Sequence, residues 1–166
     1  AALGAQVTGI DPAPNNIAVA SQHAQKSGLS IDYRNITAEA LAETGEQFDA
    51  VAALEVIEHV EGPAEFIVQL SRMVKPGGLL FLATIDRTLK SYALAIIGAE
   101  YVLGWVPKGT HDHNKFIRPD ELAAWARQAG LREIDRAGMS YQPLTRSWRK
   151  SHDTDVNYLM AVKKEA

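Results

Sequence analysis

The chain has 166 residues, 46% of them hydrophobic, a formal net charge of −3 and no cysteine. That size and composition suit one folded domain with a real core and exclude a disordered tail. The slight acidity excludes a general attraction to nucleic acid, and the absent thiols exclude disulfides, thiolate nucleophiles and thiolate zinc sites, as fits a reducing compartment.

Residues 6–10 read as a strand reached almost at once from Ala1-Ala2-Leu3-Gly4-Ala5, a start without methionine or a signal-like apolar stretch. The expectation is a fragment whose first strand and following loop lie upstream. Asp11 ends that strand, and Pro12 and Pro14 break it. Asn15 is the expected N-cap of a helix with Ile17, Val19, Ala20 and Ala24 as its apolar stripe, closed by Gly28. Residues 31–36 form a short alternating strand, and a small helix spans residues 38–43. Residues 48–54, Phe-Asp-Ala-Val-Ala-Ala-Leu, read as a buried strand.

Pro63 opens the next helix, with Phe66, Ile67, Leu70, Met73 and Val74 at helical spacing. The turn Lys75-Pro76-Gly77-Gly78 then leads into a second buried strand over residues 79–84. Pro119, Asp120 and Glu121 open a further helix with Leu122, Trp125 and Ala126 buried, ended by Gly130. Residues 131–137 and 157–162 are two late strands. Strands alternate with helices until this last pair, so the fold class is α/β, a mostly parallel sheet with a C-terminal antiparallel hairpin at its edge. The whole chain is expected to be one domain with an insertion at about residues 86–118.

The chemistry gathers at the carboxyl ends of strands, where open α/β sheets bind ligands. Asp11 is placed to accept hydrogen bonds from the ribose hydroxyls of an adenosine cofactor, or else to cap the turn and helix that follow it. Glu55, Glu58 and His59 fall within five positions after the strand at residues 48–54. Their oxygen and imidazole groups suit a divalent ion such as Mg2+, while Glu58 also reads as a cap for the helix at Pro63.

The runs Val7-Thr8-Gly9-Ile10-Asp11, Glu55-Val56-Ile57-Glu58-His59-Val60 and Val74-Lys75-Pro76-Gly77-Gly78 recur loosely among small-molecule methyltransferases. Gly98-Ala99-Glu100-Tyr101 and Val106-Pro107-Lys108-Gly109-Thr110-His111-Asp112 are narrower, with Lys115-Phe116-Ile117 and Asp155-Val156-Asn157-Tyr158 beside them. On these motifs the chain resembles the ubiquinone-biosynthesis O-methyltransferase family along essentially its whole length. The resemblance implies a Rossmann-like class I fold dependent on S-adenosylmethionine. It implies O-methylation of a polyprenyl catechol or demethylubiquinol. It places the ribose contact on Asp11, a backbone contact beside the methionine moiety on Leu54, and Mg2+ on Glu55, Glu58 and His59. The family's glycine-rich loop and arginine-bearing amino-terminal helix have no counterpart here, and the fragment alone is expected to be inactive.

A phenolic acceptor has an unperturbed pKa of about 10, and its phenolate is much the better nucleophile. A metal at Glu55, Glu58 and His59 would lower that pKa, whereas without one His59 would act as general base. The residues leave both open, and the family's need for magnesium favours the metal. Residues 91–106 carry Tyr92, Tyr101 and Trp105 between Arg87, Lys90 and Lys108. They read either as an interfacial segment against anionic lipid or as a buried helix. His111, Asp112 and His113 line the acceptor site or lie on the surface. The corresponding expectations are a polyprenyl phenol or quinol substrate, a place at the cytoplasmic or matrix side of the inner membrane, and a ubiquinone-biosynthesis complex as partner. Competing readings are methylation of another small molecule, an NAD-dependent oxidoreductase, and a non-catalytic lipid-binding module.

Overall fold

The structure is a computed structural model that describes residues 1–92, 112–142 and 147–165. The chain divides into two compact units, Ala1–Glu46 and Gln47–Ala166.

In the first unit β1 (Thr8–Ile10) lies parallel to β2 (Asp32–Arg34), and α1 (Pro14–Lys26) connects them. The pairing sets Gly9 against Tyr33, whose ring would stand 2.6 Å from a Cβ at position 9 and would have to move to admit one. Pro14, not Asn15, begins α1. Asp11 organises that start, its Oδ1 accepting from the Ala13 N–H at 2.7 Å and its Oδ2 from Asn16 Nδ2 at 3.0 Å. Of the expected stripe on α1 only Ala24 is buried, and Val19 is 68% exposed. The Thr37 hydroxyl caps α2 (Ala38–Glu43) by accepting from the Ala40 N–H. Arg34 bridges Asp32 and Glu46.

The second unit is a five-stranded sheet in the order β3-β4-β7-β5-β6. Its strands are β3 (Phe48–Leu54), β4 (Val74–Ile85), β5 (Leu131–Gln142), β6 (Ser147–Ser151) and β7 (Asn157–Lys164). β3 and β4 are parallel, while β4–β7, β7–β5 and β5–β6 are antiparallel. The sheet is therefore mixed. The late pair is antiparallel as expected, but β7 inserts between β4 and β5, and β6 takes the edge. The Pro-Gly-Gly turn lies inside β4 as a register break between Phe48 and Ala50. Gly77 adopts φ 78°, and a Cβ on Gly78 would meet the Asp49 carbonyl oxygen at 2.9 Å.

α3 (Pro63–Met73) and α5 (Pro119–Gln128), with the single-turn helix α4 (Leu89–Ser91) between them in the chain, pack on each other and on this sheet. Proline at the first helical position opens both. α3 buries Phe66, Ile67, Leu70 and Met73, and α5 buries Leu122 and Ala126. Alternation along the strands sends Leu80, Leu82 and Thr84 of β4, with Tyr158, Met160 and Val162 of β7, into the same core. Each large apolar side chain fully buried there contributes about 1.5–3 kcal/mol. The Lys164 ammonium donates to the carbonyls of Ser71 and Val74 at 2.8 and 2.9 Å, satisfying groups that the end of α3 leaves open. The expected burial of residues 48–54 is not seen in this unit: β3 is its edge strand, and only Ala53 is buried.

Candidate active site at the carboxyl ends of two parallel strands

β3 and β4 run side by side, and β3 ends at Leu54 opposite Ala83, two residues before the end of β4. The Glu55 N–H donates to the Ala83 carbonyl at 2.9 Å, and Glu55 itself turns the chain with φ 54°. A left-handed residue with a side chain costs roughly 1–2 kcal/mol, and such strain gathers at functional sites. A 3₁₀ turn, Ile57–His59, follows. Three residues per turn point successive side chains about 120° apart. Ile57 and Glu58 consequently go inward, at 0% and 4% exposure, and His59 goes outward.

Glu58 is held from beneath, its Oε2 accepting from the Thr84 hydroxyl at 2.9 Å. Glu55 exposes surface as a residue, but its carboxyl group meets that of Glu58. Burial of that carboxyl, then the negative charge and hydrogen bond of Glu58, push Glu55 up to about 7. A carboxyl held this close to another gives up its proton later than a free one. The expected three-ligand metal set is not assembled: Glu55 and Glu58 meet, and His59 on the outer side of the turn does not join them. Among the described residues no three His, Asp or Glu side chains form a group that could hold a metal ion. Leu54, 50% exposed, leaves apolar surface at the end of β3.

The neighbouring strand brings a residue that the sequence reading passed over. Asp86 follows β4 directly and is 7% exposed, its Oδ1 buried without a hydrogen-bond partner. Burial raises its carboxyl above the usual range. The backbone there is well tied, the Asp86 N–H donating to the Val156 carbonyl and the Asp86 carbonyl accepting from the Thr88 N–H, both at 3.0 Å. Asp86 stands two residues after Thr84, which pairs with Tyr158. The fully buried Tyr158 hydroxyl donates to the Ile117 carbonyl at 2.9 Å, and burial followed by the charge of Asp86 pushes that phenol up. An acid closing an apolar strand, as Asp11 and Glu55 do, was the signal that would have found Asp86.

Asp112 is spent on structure, its Oδ1 accepting from the Asn114 N–H at 3.0 Å to cap the turn His113–Lys115. His113 Nε2 donates to the Thr88 carbonyl at 3.1 Å, and its ring sits edge-on to Tyr92 and Phe116. That partner fixes the tautomer. His111 and nearly all of the expected membrane segment, residues 93–106, lie outside the described residues. No helix of the described residues is long and apolar enough to cross a membrane.

Residues 1–82 match the family model of a methyltransferase domain. Over all 166 residues the chain is 57% identical to the ubiquinone biosynthesis O-methyltransferase of Brucella anthropi, covering 67% of that protein. The chain belongs to the ubiquinone biosynthesis O-methyltransferase family. The relative of the same name from Methylocella silvestris is also 57% identical, over 99% of the chain and 64% of its own length. The chain thus spans about two-thirds of the length of these family members. Among solved structures it resembles the magnesium protoporphyrin IX methyltransferase of Synechocystis with bound S-adenosylhomocysteine, at TM-score 0.71 and 19% identity over 99% of this chain and 67% of that one. The N-methyltransferase of Bradyrhizobium japonicum gives TM-score 0.62 at 17% identity, over 97% and 67%. These likenesses show a shared fold, and the expected α/β methyltransferase class is borne out.

Proposed function

We infer that the protein transfers a methyl group from S-adenosylmethionine to a phenolic oxygen of a polyprenyl catechol or quinol, forming a methyl ether. The observation that carries this reading is the 57% identity over the whole chain to ubiquinone biosynthesis O-methyltransferases. The carboxylate pair at the end of β3 supports it, because phenols need activation before they attack.

S-adenosylmethionine, when bound, supplies the electrophilic methyl group. The residues suit it. A carboxylate offers about four lone-pair positions, and Asp11 uses two of them on Ala13 and Asn16, leaving two for ribose hydroxyls. Leu54 offers apolar surface and backbone for the methionine portion. His59, exposed beside the strand end, takes the phenolic proton as general base.

The meeting carboxylates of Glu55 and Glu58 also suit Mg2+, which accepts one or two protein carboxylates and fills its other positions with water or substrate oxygens. An ion there would supply positive charge that favours the phenolate. The substrate's isoprenoid tail lies in the bilayer, so a peripheral position on the inner membrane, with residues 91–106 against anionic lipid, belongs to the same proposal. Flotation of the complete protein with anionic liposomes tests that position, and binding that ignores lipid charge overturns it.

The direct experiment supplies the complete protein with methyl-labelled S-adenosylmethionine and a prenylated catechol. Label recovered in a monomethyl ether supports the reading. Label found only on nitrogen or carbon acceptors overturns it.

A further inference from the structure

Buried polar groups are nearly always paired, and an exception in a folded protein calls for a partner from elsewhere. The buried side-chain oxygen without one among the described residues is Asp86 Oδ1. It does not sit at a random place. Asp86 follows the last residue of β4, the parallel neighbour of β3, so it shares the carboxyl edge that carries Glu55 and Glu58. Alternation puts its side chain on the face of β4 that Thr84 uses to reach Glu58. Tyr158 lies close enough to Asp86 and Glu58 to feel both charges. Tyr158 itself cannot serve as the partner, because its hydroxyl hydrogen is committed to the Ile117 carbonyl.

We propose that Asp86 is a specificity-determining residue whose Oδ1 accepts a hydrogen bond from the acceptor's second ring hydroxyl, the one that does not receive the methyl group. This rests on the phenol methyltransferase reading given above. A catechol holds its two oxygens on adjacent ring carbons, and adjacent strands lie about 4.8 Å apart. An acceptor whose reacting oxygen sits at the end of β3 has room to turn its other hydroxyl toward the end of β4, which runs two residues further. A monohydroxy phenol, or a ring already methylated at that second oxygen, leaves Oδ1 buried and unpaired. A site built around such a bond rejects the analogue that lacks it.

The test compares the complete wild-type protein with Asp86→Ala and Asp86→Asn on a prenylated catechol and its monohydroxy counterpart. Wild type should favour the catechol in kcat/KM, and Asp86→Ala should cut that preference roughly 10- to 100-fold while leaving the monophenol within about twofold. Asp86→Asn, an uncharged acceptor of the same shape, should fall between. Asp86→Asn should also melt no lower than wild type, since it keeps the acceptor oxygen and the orphan oxygen has no partner to lose in the free protein. Equal losses on both acceptors with a lower Tm would mean a structural role and overturn the proposal. If Asp86→Ala does not fold, an unchanged preference in Asp86→Asn overturns it instead. Should wild type methylate neither phenol, the functional reading fails alone. Calorimetric binding of the same catechol, weakened in Asp86→Asn or not, then decides the role of Asp86.

Discussion

The Thr84 hydroxyl donates to the Glu58 carboxylate at 2.9 Å, joining the core-facing row of β4 to the turn that carries the candidate chemistry. Both side chains are buried, Thr84 at 0% exposure and Glu58 at 4%. Thr84→Val keeps the shape and removes the donor. A buried hydrogen bond to a charged group is worth about 1.5–3 kcal/mol, so urea unfolding should show a loss on that scale. Glu58 would also lose its orientation, and acceptor turnover should fall with it. A variant as stable and as active as wild type would show that this bond does not hold the site.

The Glu55–Glu58 pair gives a pH dependence with a definite sign. Glu55 rises from its ordinary 4.5 to about 7 in the folded protein, while the unfolded chain titrates near the ordinary value. The folded state therefore binds more protons between those values, and stability falls as pH rises from about 4.5 to 7. Glu55→Gln removes the contribution and should flatten the Tm profile in that window. Mg2+ favours the ionised pair, so at pH 8 it should raise the Tm of wild type and leave Glu55→Gln unmoved. Equal shifts in the two proteins would place any ion elsewhere.

Much of this was legible because local chemistry and fold agree. The bounds of β3 at residues 48–54 matched, with Gly45 in the preceding turn, and Pro63 and Pro119 opened their helices. β6 escaped because Ser-Trp-Arg-Lys-Ser has no apolar alternation and owes its place to pairing with β5. The outward direction of His59 depends on the 3₁₀ turn, which side-chain chemistry alone does not announce. Asp86 drew no reading from the sequence, where it is one acid following the strand at residues 79–84. Its burial comes from the antiparallel insertion of β7, a non-local pairing that no local pattern encodes.

Tyr158 tests that insertion. Its hydroxyl links β7 to the segment entering α5 through the Ile117 carbonyl, and Ile117 in turn donates its N–H to the Ile85 carbonyl at 3.1 Å. Tyr158→Phe deletes one buried donor with almost no change in packing. The expected cost is about 1 kcal/mol, and somewhat more from the carbonyl left with a lost partner. Chemical denaturation should show it as a lower midpoint with an unchanged slope. No shift would mean that water replaces the hydroxyl.

Asp11 separates capping from cofactor binding. Its two oxygens hold the Ala13 N–H and Asn16 Nδ2, and the same carboxylate is proposed to receive the ribose hydroxyls. Asp11→Ala removes both roles, so stability should drop by about 0.5–2 kcal/mol for the lost cap and S-adenosylmethionine should bind more weakly by about 1.5–3 kcal/mol. Asp11→Asn keeps an oxygen for the Ala13 N–H but loses the charge. Stability should then stay near wild type while cofactor affinity, measured by calorimetry on the complete protein, still falls by most of that amount. If Asp11→Asn binds the cofactor as wild type does, the carboxylate serves only the turn into α1, and the ribose contact belongs to another residue.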